Sequence, residues 1–426
     1  MLIVTEGFEL AAVTNSKDYN LAGTARGAAW LSQFAASDAD AATRLISNLT
    51  LVSHSAFERA LTLLIEREAK AIDGLVALFA TREMVRGVDY FAPVNPTGEQ
   101  EEPIDAVARG SDLGSEARVA ALIRNLAKAT PHKYLNHPSL EMLRTEKCRA
   151  IFAIDDFIGS GRRTSKFLAS MWQSRTIRSW HSRGSIRFIA VAYSSTDNGS
   201  ALVQRSRCEP ETILYRNCPT FWEMPWAHPL KDGVIALCRK YGAKTSRPNM
   251  RLGYDKTMAA LVFEHGCPNN APSVLWAPSE KEAGWQPLFP DRSILPAEAS
   301  AFPPDVTHPP ARAVLNDAGR RRLAGSKALQ MRAPIGPNNL ILLSLSAIGH
   351  RSHSALGYAT GLSRHECSLA IDDCIKRGFL TPALRITAAG RAEIKYASTL
   401  MESRNRVPPR GGDEYYPKQL RGPIRG

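Results

Sequence analysis

Cysteine is scarce and unpatterned. The seven cysteines of this 426-residue chain are scattered, and no two stand as C-x-x-C. That excludes a four-cysteine zinc cluster and argues against a disulfide framework. A reducing compartment, the cytoplasm, is therefore the expected location. No run approaches the roughly 18 apolar residues of a membrane span, so no membrane partner is expected. The opening stretch, MLIVTEGFEL, lacks the basic segment and long apolar core of a secretory signal. No internal repeat is visible. Acidic residues are in deficit, 41 against 54 Lys+Arg, for a net charge of +13. Such an excess suits a polyanionic partner, nucleic acid above all, but also a solvated basic surface or a few phosphate pockets.

The length suggests two or three domains. Residues 1–87 read as a helical region, with 24–85 helical throughout. Trp30, Leu31 and Phe34 share one face, as do Leu45, Ile46 and Leu49, and Ser55 with Glu58 reads as a capping box. From 88 to 292 short apolar runs alternate with helices, at Val88–Val94, Ala106–Ala108, Arg149–Ile154, Ile186–Tyr193 and Met258–Phe263. This predicts an α/β domain on a largely parallel sheet. Residues 293–338 are rich in Pro and Ala and read as a linker. A compact helical segment occupies 339–402, and 403–426 is a basic tail.

The most informative stretch is Arg149–Thr164, RAIFAIDDFIGSGRRT. An apolar strand runs into Asp155 and Asp156, then the Gly159-Ser160-Gly161 turn, then a helix carrying Phe167, Leu168 and Met171. In parallel sheets ligands bind beyond the carboxyl ends of strands. Glycines let the backbone approach a phosphate, and the amides of a helix start point at the anion. Paired carboxylates suit the two hydroxyls of a ribose, and could also touch a Mg²⁺ ion. An acidic pair beside a merely structural glycine loop is the alternative, since other α/β proteins place aspartates at strand ends too. A second loop, DAVARGSDLGS at 105–115, leads into another helix. Arg109, Gly110 and Ser111 there are candidate ligand contacts or simply a turn. A third cluster, EHGCPNNAPSVLW and GWQPLFPDR within 264–292, could edge a substrate site or merely pack.

The 149–164 stretch resembles the phosphoribosyltransferase signature of an apolar strand, two acids, three residues, Thr or Ser, Gly, one residue and Thr. The Trp30…Phe34 helix, the DDFIGSG loop, the CPNN-x-P-x-x-LW segment and the closing W-x-PLFP-x-R together resemble the phosphoribosyltransferase-like family of bacterial conflict systems, across about residues 24–292. The resemblance implies a type I phosphoribosyltransferase sheet with an appended helical region, and an effector role in anti-phage defence. Asp155 and Asp156 would hold the ribose hydroxyls of phosphoribosyl pyrophosphate and contribute to a Mg²⁺ site. Phe157, Ile158, Gly159, Ser160, Gly161, Arg162, Arg163 and Thr164 would form the phosphate loop, and Arg109, Gly110 and Ser111 the pyrophosphate loop. Arg163 departs from the signature: it stands where Thr is usual, with Thr164 one place late.

The C-terminal segment reads as three helices and a wing. Leu340–Ile348 is apolar, 354–360 is short, and Ser363 with Glu366 caps a third helix that Gly378 ends. LRITAAGR at 384–391 reads as strand and wing. This resembles the winged helix-turn-helix of bacterial regulators, in which the third helix enters the major groove. Arg364, His365, Ser368, Arg385 and Arg391 are the implied contacts to DNA or RNA. From 340 onward there are 13 Lys+Arg and 7 Asp+Glu, a net of +6. Winged helices also mediate protein contacts, and Glu366, Asp372 and Asp373 dilute the charge. The pairing further resembles the partner set of some retrons, where a reverse transcriptase and its DNA hold an effector. Two functions stay open: a transferase-like or nucleotide-hydrolysing effector, and a non-catalytic ligand-sensing DNA-binding regulator.

Overall fold

The strand that carries the two acids is the centre of the molecule. The computed structural model describes residues 19–92, 115–279, 285–304, 310–329 and 335–400. Its strands are β1 (Thr50–Val52), β2 (Val76–Ala80), β3 (Tyr134–Asn136), β4 (Ala150–Ile158), β5 (Arg187–Ser195), β6 (Glu211–Asn217) and β7 (Leu261–Phe263). Five of them make an all-parallel sheet in the order β3-β2-β4-β5-β6, while β1 and β7 pair in parallel as a separate ribbon. All nine residues of β4 are buried, as befits a strand covered on both faces. The order reverses between β2 and β4. At such a switch point the loops leave in opposite directions and open a crevice at the carboxyl ends.

Side-chain alternation assigns the two faces. Val76, Leu78, Phe152 and Ile154 pack with α3 (His54–Lys70) and α4 (Ser115–Ala129). Ala77, Phe79, Ile151 and Ala153 pack with α6 (Arg162–Met171), α7 (Arg175–Ser182) and α8 (Asp197–Gln204). A third core joins α1 (Ala25–Leu31), α2 (Ala39–Ser47) and α9 (His228–Gly242) to the β1–β7 ribbon and the segment after it. Between β3 and β4 lies α5 (Leu140–Thr145).

Residues 24–85 are not helical throughout, because β1 and β2 lie within them. VALFA is a short apolar run without period, and burial on both sheet faces makes it a strand. The strand expected at Val88–Val94 is not formed over 88–92, which are irregular and end in a turn and a bend. There Tyr90 and Phe91 pack on Phe79. Residues 93–94 and the expected Ala106–Ala108 strand lie outside the described residues. The cap of α3 is Ser53, whose hydroxyl accepts from the Ala56 amide, two residues before the expected Ser55.

The expected linker is largely built into the C-terminal core. After α10 (Pro296–Ala299), the helices α11 (Ala311–Asp317) and α12 (Arg321–Ala324) bury Val314, Leu315 and Leu323 against α13 (Pro337–Ala347). Then follow α14 (His353–Thr360), α15 (Arg364–Lys376) and α16 (Ala388–Thr399). The Ser363–Glu366 capping box is formed on both sides, and Gly378 adopts φ 72° where α15 ends. The wing is reduced to a single Leu380–Ile386 bridge, so Arg391 stands on α16 rather than on a wing. This module covers the sheet edge at β6. Arg216 donates to the Gly361 carbonyl at 3.0 Å, Ser354 to the Cys218 carbonyl at 2.7 Å, and Tyr358 to Asn48 Oδ1 at 2.8 Å.

Candidate functional site

Asp155 and Asp156 lie toward the carboxyl end of β4, at the switch point, and are 2% and 8% exposed. Burying two adjacent carboxylates is costly unless they are paired. Arg163, on the first turn of α6, supplies that pairing. Its Nη2 contacts Asp155 Oδ1 directly and Asp156 Oδ1 at 3.1 Å. Thr164 Oγ1 donates to Asp155 Oδ2 at 3.1 Å. His265 Nε2 donates to Asp156 Oδ2 at 3.2 Å. The side chain that departs from the signature thus sits on both acids that would hold a ribose.

The two acids titrate apart. Burial pushes Asp155 up to about 7; the charge of Arg163 opposes this and the neighbouring Asp156 adds to it. Asp156 is equally buried, but the His265 hydrogen bond and the Arg163 charge outweigh burial and hold it below the usual carboxylate range. Between pH about 4 and about 7 the folded protein keeps a proton at Asp155 that the unfolded chain has released. Stability contributed through Asp155 therefore falls as pH rises across that window. An Asp155→Asn variant is expected to gain on the native protein between pH 5 and pH 8 in urea unfolding. A stability difference independent of pH would contradict this assignment.

The loop proper starts at Gly159, because Phe157 and Ile158 are the last residues of β4 with side chains buried in opposite cores. They can offer a ligand only backbone. Gly161 is the N-cap of α6 at φ 75° and has no side chain with which to cap it. The Arg162 amide donates to Ser160 Oγ at a long 3.4 Å, and a helix start held by so weak a bond suits an anion. The loop is clasped on both sides. A Cβ on Gly159 would come 2.3 Å from Asn270 Oδ1, and one on Gly161 2.5 Å from the Gly199 carbonyl. Thr196 Oγ1 donates to the Gly159 carbonyl at 2.6 Å and Ser195 Oγ to that of Ile158 at 3.0 Å. Ser160 is half-buried. Arg162 is exposed and turns away, to Tyr254 Oη at 2.9 Å and Asp255 at 3.7 Å.

The third cluster mainly packs. Asn270 is buried against Gly159 and donates to Thr257 Oγ1 at 3.0 Å. Trp30 Nε1 donates to the Val274 carbonyl at 3.2 Å, and Phe34 meets Trp285 edge-on at 5.6 Å. Three of the four segments that resemble one family are therefore one packed body, joined to the fourth, the DDFIGSG loop, through Asn270. His265 is the exception, since the end of β7 brings it to Asp156.

Several residues of the site escaped sequence reading. His54 follows β1 as His265 follows β7, and the parallel ribbon stacks their rings at 6.1 Å. Burial and the charge of Arg118 push the His54 imidazole below its ordinary range. Glu264 accepts from the His54 amide at 2.7 Å. Thr81, at the end of β2, has a buried hydroxyl without a partner among the described residues. Only pairing of distant strands places these groups; their spacing in sequence carries no such signal. Arg109, Gly110 and Ser111 lie outside the described residues.

Two carboxylates are the usual protein share of a Mg²⁺ site, with phosphate and water completing it. Here Arg163 holds the position a cation would take. Among the described residues no group of three or more His, Cys, Asp or Glu is placed to hold a metal.

In the C-terminal module, Arg364 and His365 are exposed at the start of α15 and Ser368 is half-buried one turn on. Arg385 is exposed in the turn before α16, and Arg391 is exposed on that helix. No helix among the described residues is long and apolar enough to cross a membrane.

Neither a curated protein nor a solved structure matches the chain significantly. Two families do. The one described as wHTH-PRTase associated matches residues 340–422, the span in which α14, α15 and the Leu380–Ile386 bridge were found. The one described as PRTase-CE matches residues 28–290, which takes in both sheets, the acid pair and its clasped loop, and by that match over more than half its length the chain belongs to the PRTase-CE family.

Proposed function

We propose that this protein binds a 5-phosphorylated ribose, phosphoribosyl pyrophosphate or a related nucleotide, at the carboxyl end of β4. The reading rests on one observation. Two buried carboxylates and a helix start whose N-cap is a glycine, separated by a tight turn, meet at the sheet's switch point. The amides from Gly159 to Gly161 would hold the 5-phosphate, and Asp155 and Asp156 the ribose hydroxyls. A Mg²⁺ ion would bring the pyrophosphate charge to the acids, and Arg163 would then move from the acids toward phosphate. In transfer, the C1–O bond to pyrophosphate breaks with its electron pair leaving on pyrophosphate, the acceptor bonds to C1, and the proton the acceptor loses passes to the departing pyrophosphate or to water. The acids would stabilise the positive charge that develops on the sugar, and the His265 imidazole lies beside them. The winged helix would bring nucleic acid, through Arg364, His365 and Arg385. The biological setting we propose is an effector of bacterial anti-phage defence, held in some systems by a reverse transcriptase complex.

The closed Arg163–acid contact and the bonding of the winged helix to β6 favour a second reading. Ligand binding would open the acids and change the DNA affinity of the module without turnover. Calorimetric titration of phosphoribosyl pyrophosphate, with and without Mg²⁺, tests the shared claim. Asp156→Asn is expected to weaken binding by about tenfold or more, since a hydrogen bond to a charged group contributes about 1.5–3 kcal/mol. Undiminished affinity would refute it. Loss of pyrophosphate release in Asp156→Ala favours the transferase, and a change confined to DNA affinity favours the sensor.

A further inference from the structure

We propose a second anion site at the opposite end of the sheet, shaped for a nucleotide unit, free or within a single-stranded nucleic acid. A cavity of about 380 Å³ opens below the start of β4 and β5, lined by Arg144, Lys147, Arg149, Trp180, Arg183 and Ile186 among others. Arg149 immediately precedes β4 and Ile186 lies one residue before β5, so the cavity sits at the amino ends of the strands. At about 3.3 Å per strand residue it lies about 20 Å from Asp155. It is independent of the ribose reading.

Four cations meet here, and none forms an ion pair with a carboxylate among the described residues. Elsewhere in the molecule, arginines that reach the surface, such as the half-buried Arg44 and Arg118 and the exposed Arg67, have acidic partners. Helix dipoles account for Arg144 and Arg183, which stand at the carboxyl ends of α5 and α7. They do not account for Arg149. Its stem lies over Gly74, where φ is 124° and a Cβ would come 2.7 Å from Arg149 Cγ. That close approach fixes the arginine at the cavity. Trp180 is half-buried, and the Arg144 guanidinium lies over its ring at 6.0 Å.

The combination is specific in kind. An aromatic face beside clustered guanidinium groups stacks a base and holds its phosphates, in any sequence. Inorganic anions would use the cations but not the ring. The cavity volume suits one nucleotide rather than a duplex. The module of +6 at the C-terminus thus need not be the only contact to nucleic acid.

The test uses the full chain and two probes, fluorescein-labelled dT12 by anisotropy and mant-ATP by fluorescence. The variants are Lys147→Glu/Arg183→Glu, whose side chains are exposed, and Trp180→Ala, each checked by circular dichroism. Both are also made in an Arg364→Glu background, which removes a winged-helix contact. The double reversal is expected to weaken at least one probe by about tenfold and to lower the salt slope for dT12 by about 1.4. Trp180→Ala is expected to lose about tenfold as well. A loss confined to mant-ATP identifies a free nucleotide as the ligand, and a loss for dT12 identifies a strand. The proposal is overturned if both variants bind both probes within about twofold of the native protein, or if the native protein binds neither.

Discussion

Arg163→Thr is expected to give a protein that is less stable at pH 8 than at pH 5 and that Mg²⁺ partly restores. The arginine is the shared partner of two carboxylates whose side chains are 3% and 11% exposed. Removing one member of a buried ion pair costs about 3–5 kcal/mol, because the charge left behind stays buried. The Arg163 side chain is itself 37% exposed, which lets water screen the pair and brings the expectation to about 2 kcal/mol. Without Arg163 no positive charge opposes the burial that already raises Asp155. The acids repel when both are ionised, and the loss is largest at alkaline pH and relieved as protons bind. A divalent cation takes over the neutralising role, so thermal melts with and without Mg²⁺ should diverge in this variant more than in the native protein. Equal stability loss at both pH values, with no Mg²⁺ response, would show that Arg163 only packs.

Gly161→Val is expected to leave the fold intact and to lower affinity for phosphoribosyl pyrophosphate by about tenfold to a hundredfold. The position has φ 75°, and a Cβ there would lie 2.5 Å from the Gly199 carbonyl. A β-branched residue is strained in this region at a cost of about 1–3 kcal/mol. The clash is with backbone, so it cannot be relieved by a rotamer change. The loop must therefore move, and each amide–phosphate bond lost is worth about 1.5–3 kcal/mol. The change lies at the rim of the sheet rather than in its cores, which is why circular dichroism should alter little. Native affinity in Gly161→Val would mean that the turn does not hold the phosphate.

Much of this arrangement could be read before the chain was folded. Ile151, Phe152 and Ile154 form an unbroken apolar run, and Gly159-Ser160-Gly161 followed by Phe167, Leu168 and Met171 marks a turn and a helix face. These are local signals, and the strand–turn–helix they describe is the one observed. The Ser363–Glu366 capping box is local in the same way. What escaped is long-range. Arg163 was visible as a departure from the signature, but its closure onto both acids depends on the burial of β4. His265 reaches Asp156 across 109 residues because β7 pairs with β1, not with the main sheet. The VALFA strand lies among helical stripes, and β6, ETILYRN, is polar at both ends and is covered along its edge by the winged helix. In each case tertiary burial overrode the local pattern.

The most direct measurement is a crystal structure of the protein grown with phosphoribosyl pyrophosphate and Mg²⁺. The expected density places the 5-phosphate against the amides of Gly159–Gly161, the ribose hydroxyls on Asp155 and Asp156, and Arg163 swung off the acids. A ligand bound elsewhere, with Arg163 still closed on both carboxylates, would contradict the assignment.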